Sequence, residues 1–415
     1  MSRRFELPAL LAAAFLIRLV WAVLIPVDPV SDAAAYQIFA QNLYHHGVYG
    51  FNPDEPGAYW AVGTAALYAG AYIVFGEGGL AVLAVNMLSS LIVVWGLWDL
   101  GRRWFGEVEG RVAAGLFVLW PMAVQFVTIM ASELHFMAAS LLALTAWDRA
   151  RGRATSAFWG FALLSGLALA AATYLRPIAL LIPAALLIAA LLRAPRSALE
   201  PFLKTLVTTG VIFLCVSPWS ARNERVFGEP VFMSTNFWAN FWMGNHPGSD
   251  GGYARLPDAV RDLGEIERSA YMKELALGHL KDDPAGFVTR TIKKAVRLHE
   301  RETIGVGWNE AAVRSLAGEA GVTGLKLLST AWWYLMVLAA LVGAMVLARR
   351  RGWWAALLSE PVWLWLYFTA VHAVIVVGDR YHMPAIPMIA LLAALPLSLI
   401  LKRSQPERRS QRQPG

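Results

Sequence analysis

The chain has 415 residues, 57% of them hydrophobic and 16% charged, with a formal net charge of +7. A soluble globular chain carries about 45–50% apolar and about 25% charged residues, so a water-soluble domain is excluded. The basic excess lies in short loops between apolar runs, where it sets membrane topology rather than binding nucleic acid, and the single Cys215 leaves neither a disulfide framework nor a cysteine metal site.

Roughly 20 apolar residues cross a hydrocarbon core. Such runs fall near 8–26, 80–100, 112–130, 134–148, 157–174, 178–193, 204–220, 325–348, 354–377 and 383–401. They predict an all-α polytopic membrane protein with about ten spanning helices. The first run follows Arg3-Arg4 and ends at Pro26-Val-Asp28-Pro29 rather than at a small-x-small cleavage site, so it reads as a retained helix. The basic connections are Arg102-Arg103 with Arg111, Arg149/Arg151/Arg153, Arg193/Arg196/Lys204, Arg349-Arg350-Arg351 and the tail from Lys402. Placed in the cytoplasm, they leave 27–79, 131–133, 175–177, 221–324 and 378–382 outside and bring both termini inside. Residues 59–76 are apolar enough to span, but a crossing there would turn the following basic loops outward. An interfacial or re-entrant helix preserves the alternation.

The expected organisation is a transmembrane module over 1–220 whose first external loop is 27–79, an external region over 221–324, further spans over 325–401 and a disordered cytoplasmic tail over 402–415. The external region holds an aromatic stretch, Asn236 to Asn245, a Gly-rich turn, Pro247 to Gly252, and one or two helices over 258–300 broken at Asp282-Asp283-Pro284.

Ionisable residues stand at the outer ends of several runs. Ser31-Asp32 precedes a short amphipathic segment, Tyr36 to Tyr44. There Asp32 either caps that helix or, partly desolvated, serves as a base. Glu133 interrupts a nearly unbroken apolar stretch from Val112 to Trp147; it marks an exposed turn or, at membrane depth, a functional acid. Arg176-Pro177 and Arg380-Tyr381-His382 put arginines on outer turns, against the positive-inside bias. Asp379 could neutralise Arg380, or the guanidinium forks could grip phosphate with Tyr381 and His382 as added donors. Arg18 lies inside the first span, too deep to reach water easily, and calls for an internal carboxylate or a phosphate. His299-Glu300-Arg301-Glu302 lacks the second histidine of a metalloprotease helix, and His45-His46 has no carboxylate partner at ligand spacing. No metal is assigned, and divalent-metal dependence is left open.

At these residues the chain resembles the GT-C superfamily of lipid-linked-sugar glycosyltransferases. The nearer branch holds the family 39 protein O-mannosyltransferases, the aminoarabinose transferases of lipid A and the galacturonosyltransferases of rhizobial lipopolysaccharide. The likeness rests on Asp32 with Tyr36 and Gly47, on Tyr59-Trp60 opening a segment that ends Phe75-Gly76, on Glu133 and on Arg176-Pro177. It extends to Arg380-Tyr381-His-Met-Pro384, Pro218-Trp219, Arg222-Asn223 and Gly244-Asn245. The chain departs where the mannosyl branch has Asp-Glu, since Ala33 follows Asp32; that puts in doubt any role needing the second acid. The resemblance implies a GT-C-like bundle with outer-face juxtamembrane helices. It implies inverting transfer of a sugar from a polyprenyl-phosphate donor to an acceptor glycan, lipid or protein at the outer face of the inner membrane. Asp32 and Glu133 would be catalytic, and Arg176, Arg380 and Arg18 would hold the donor phosphate. Tyr36, Tyr381, His382 and Asn245 would contact substrate, and Phe237 to Trp242 would either stack on sugar or pack the loop. Two rivals remain: a transporter or flippase, which would show repeat symmetry and charges near the midplane, and an O-antigen ligase or polymerase.

Overall fold

The computed structural model describes residues 6–152, 155–197 and 199–403, all helices and connecting turns apart from one isolated bridge between Asn52 and Glu55. Arg3, Arg4, Arg153 and residues 404–415 of the expected disordered tail lie outside them, whereas Lys402 and Arg403, the first two residues of that tail, are helical, with Lys402 paired to Glu109 at 2.7 Å. Helix α1 (Glu6–Leu24) stops short of Pro26 and buries only Ala14 and Arg18, so its apolar surface faces outward. The first external loop carries α2 (Asp32–His46) and α3 (Gly63–Phe75). Then come α4 (Gly79–Trp104), α5 (Glu107–Val118) and α6 (Pro121–Gln125), the last running into a 3-10 turn, Phe126–Thr128. The expected span 112–130 is therefore two pieces, bent by 56°. Pro121 lacks the N–H that would continue α5, so the chain restarts there.

Helices α7 (Glu133–Ala150), α8 (Thr155–Leu175), α9 (Ile182–Arg193) and α10 (Leu199–Phe227) complete the first module. The external region folds as α11 (Phe237–Asn245), α12 (Glu265–Asp282), α13 (Pro284–Arg297) and α14 (Ile304–Gly307), with Asp283 capping α13 through the amide of Gly286. Three longer elements follow: α15 (Glu310–Arg351), interrupted at Gly318 by a left-handed φ of 65°, α17 (Glu360–Val374) and α18 (Ile386–Arg403); the short α16 (Trp353–Leu357) joins the first two.

Among the described residues, six helices are long and apolar enough to cross a bilayer, and the bent pair α5/α6 makes up to seven. Helices α7 and α17, and α9 together with the 3-10 turn Pro177–Leu181 that leads into it, are shorter or more charged yet run between the same two ends. Helix α7, for example, goes from Glu133 beside Arg380 to Asp148 beside Trp104. Its 18 residues are about 27 Å long at about 1.5 Å per residue. Helix α3 does not cross. Its 13 residues reach about 20 Å, and both of its ends sit at the Arg380 end of the bundle: Gly63 lies against Tyr174, and Glu77, just past the helix, accepts from Gln41 of α2.

Helix α18 is the axis of the core. Residues 388–395 are buried on every face, as expected of a helix surrounded by others. Gly343 lets α15 approach it: a Cβ there would come 2.0 Å from the carbonyl oxygen of Leu392. The external region has its own small core of Phe241, Trp242, Met243, Val260, Met272 and Ala276 closed by Val376. It docks on the end of α17, where buried Lys294 donates to Asn245 and to the carbonyls of Val374 and Ile375.

Candidate active site

Four charged side chains from four loops meet at one end of the bundle. Arg380 donates to the carboxylate of Asp32 and, at 3.2 Å, to Glu133. Arg176 reaches the same Glu133 oxygen at 3.5 Å. Glu133 has no exposed side-chain surface, Arg380 and Arg176 keep 12% and 14%, and Asp32 keeps 35%. Two carboxylates and two guanidiniums make the cluster neutral as it stands, with Asp32 as the acid open to the loops outside.

Local structure aims each of these groups. Ser31 has φ 55°, the only left-handed non-glycine among the described residues, a conformation that costs energy. Its hydroxyl makes no capping bond, and the carboxylate of Asp32 turns to Arg380 instead of capping α2. Glu133 opens α7, where the helix dipole favours a carboxylate. Arg176 precedes Pro177, which disfavours helical backbone before it; α8 ends at Leu175, and Arg176 is extended at φ −148°, ψ 115°. Arg380 sits in a tight turn in which the amide of Tyr381 donates to Gly378 and that of Met383 to Arg380. Asp379 does not neutralise Arg380: it accepts from the amide and hydroxyl of Thr303, tying that turn to the external region.

Aromatic rings wall the cluster. The guanidinium of Arg380 lies 4.7 Å from the Trp308 ring centre, and both arginines lie 5.5 Å from Tyr381. Tyr36 packs on Trp60 at 5.3 Å. Burial pushes the Tyr36 hydroxyl up to about 12, so it stays a donor at neutral pH. Trp308 was not signalled by the sequence, being one of many tryptophans in an apolar chain.

Three residues expected in the site are elsewhere. Arg18 is fully buried, and its guanidinium donates to the carbonyls of Phe117 and Val118 and, within its own helix, Ala14. The partner expected to be an acid or a phosphate is thus the backbone freed where α5 breaks. His382 is buried under Trp333 (ring centres 4.0 Å apart), with Nδ1 at 2.9 Å from the Leu298 carbonyl and Nε2 at 3.2 Å from Glu302. Asn245 donates to the carbonyls at the end of α17. In the aromatic stretch, Phe241 and Trp242 belong to the external region's core, while Phe237 is exposed.

The cluster does not suit a divalent cation. Its two carboxylates are each engaged by a guanidinium, and no three of His, Cys, Asp and Glu converge among the described residues. Residue 33, the position of the second acid in the mannosyl branch, is alanine.

Residues 55–221 match the sequence profile of the dolichyl-phosphate-mannose-protein mannosyltransferases. No curated protein sequence matches the chain. The fold is similar to that of the oligosaccharyltransferase of Archaeoglobus fulgidus. Its apo structure superposes with a TM-score of 0.59 at 14% identity, covering 97% of this chain and 51% of that one. The complex of the same enzyme (AglB) with an inhibitory peptide and a dolichol-phosphate gives 0.57 at 14% identity, covering 97% and 51%. The chain thus spans about half the length of these relatives. ArnT from Cupriavidus metallidurans, bound to undecaprenyl phosphate, superposes more loosely, with a TM-score of 0.48 at 15% identity over 95% of this chain and 79% of that one.

Proposed function

The chain shares its fold with membrane glycosyltransferases of the GT-C superfamily, and from that premise we propose that it transfers a sugar from a polyprenyl-phosphate carrier to an acceptor hydroxyl. The acceptor is a cell-envelope glycan, a lipid or a protein, and the reaction takes place at the outer face of the inner membrane. The observation that carries the reading is that Arg380 is shared by Asp32 and Glu133, which are 348 and 247 positions away in sequence.

The roles follow from exposure and charge. Glu133, fully enclosed, holds Arg380 and Arg176 side by side. The donor phosphate takes Arg380 from Asp32, one anion replacing another on the same guanidinium. Asp32, the open member, is then free to accept the proton of the acceptor hydroxyl. That oxygen bonds to the anomeric carbon on the face opposite the leaving group, the carbon–oxygen bond to phosphate breaks, and its electron pair leaves with the polyprenyl phosphate. The two guanidiniums neutralise charge developing on that phosphate. The dolichol-phosphate held by the archaeal oligosaccharyltransferase is in keeping with a lipid phosphate here. A transporter reading is less well supported, because the charges cluster at helix ends rather than at the midplane.

Membranes carrying the protein, supplied with radiolabelled polyprenyl-phosphate sugars, test the reading. Asp32→Asn should lower transfer by about 10²–10⁴-fold, the usual contribution of a general base. Transfer equal to wild type would remove Asp32 as the base.

A further inference from the structure

At the end of the bundle away from Asp32 there is a polar cavity of about 450 Å³, within the size range of small-ligand sites (about 300–1,000 Å³). Arg103, Arg151, Arg193 and Arg351 line it, each at or near the end of a different helix, together with Asp148 and Glu360. Four guanidiniums against two carboxylates leave an excess of two positive charges.

The surroundings do not cancel that excess. Glu360 is shared, accepting from Arg151 at 2.8 Å with Arg193 at 3.8 Å. Asp148 lies 3.9 Å from Arg151 and accepts from Trp104 at 3.0 Å. Asp99, behind the wall, pairs with Arg103 but also with Arg102 and Arg149. Arg193 and Arg351 donate to backbone carbonyls, those of Leu358 and Trp104. A guanidinium on a neutral carbonyl gains by exchanging it for a phosphate oxygen, since a hydrogen bond between two charged groups is roughly twice as strong.

We infer that this cavity is an anion site that takes a phosphate group, with Arg193 and Arg351 as its principal ligands and an anionic phospholipid headgroup as the favoured source. The position favours a lipid. The cavity lies where α4, α9 and α15 end, beside Trp353 and Trp354, which are 73% and 57% exposed in the manner of residues at a bilayer interface. The site is independent of the Asp32 cluster, and its occupancy does not depend on the transferase reading.

Native mass spectrometry of the detergent-solubilised full chain tests this with three probes: dihexanoyl phosphatidylglycerol, dihexanoyl phosphatidylcholine and inorganic phosphate. Wild type should retain phosphatidylglycerol in preference to phosphatidylcholine. Arg193→Gln with Arg351→Gln should weaken that binding about tenfold, the scale of losing two charge-assisted contacts. If the double variant does not fold, Arg351→Gln alone, whose side chain donates to the Trp104 carbonyl and lies over the Phe105 ring, should still weaken it by about threefold. Binding of inorganic phosphate with no preference between the two lipids keeps the site and assigns it to a soluble phosphate. No binding of phosphatidylglycerol or phosphate, or equal binding by wild type and variants, overturns the proposal.

Discussion

Arg380 is fixed from both sides by neighbours that titrate. Asp379 holds the external region through Thr303, and His382 contacts Glu302. Burial pushes the Glu302 carboxyl up to about 8, even though Trp120 donates to it. Neutral Glu302 can donate to Nε2 of His382, whose Nδ1–H then meets the Leu298 carbonyl. Burial also takes His382 and His299 down to about 4. Between about pH 4 and 6.5 the unfolded histidines bind protons that the folded ones do not, so stability rises with pH. Glu302 acts in the opposite sense between its ordinary 4.5 and about 8, where the folded state binds the extra proton and stability falls. Above pH 6.5 only Glu302 of these three still titrates. Thermal unfolding in detergent should therefore show a decline from pH 6.5 to 8 that Glu302→Gln lacks. A decline of the same size in the variant would reassign it to other groups.

At the level of elements, the packing of α15 on α18 depends on Gly343. A methyl group there meets the Leu392 carbonyl oxygen, which cannot move without shifting α18. Gly343→Ala should destabilise by about 1–3 kcal/mol, as overpacking does, seen as a lower melting temperature; an unchanged value would mean that the two helices separate freely. The elements were largely legible in the sequence because apolar length and Pro/Gly breaks are local signals. So were Asp32, Glu133, Arg176 and Arg380, each an ionisable residue beside an apolar run. The bend at Leu119-Trp120 was missed, since a run such as 112–130 reads alike whether straight or broken, and the partner of Arg18 was missed with it. The placements of His382, Asn245 and Trp308 depend on the docking of the external region, a long-range contact that leaves no periodic trace in the chain.

For the molecule as a whole, the two ends differ in charge. Arg103, Arg151, Arg193 and Arg351 gather at one end and the Asp32 cluster at the other. By the positive-inside bias, the proposed orientation has the cluster outside the cytoplasm. In a Cys215→Ala background, Tyr253→Cys, on the external region, should label in intact cells with an impermeant thiol reagent. Glu107→Cys, at the start of α5, should label only after permeabilisation. The reverse pattern would invert the protein. In the proposed function, the polyprenyl-phosphate donor binds at the end where Arg380 can leave Asp32 for it. The most direct measurement is the affinity of purified wild type, Asp32→Asn and Arg380→Ala for polyprenyl phosphate. Asp32→Asn, which removes the competing anion, should bind at least as tightly as wild type, and Arg380→Ala about tenfold or more weakly. Wild-type affinity in Arg380→Ala, or lost binding in Asp32→Asn, would contradict the account.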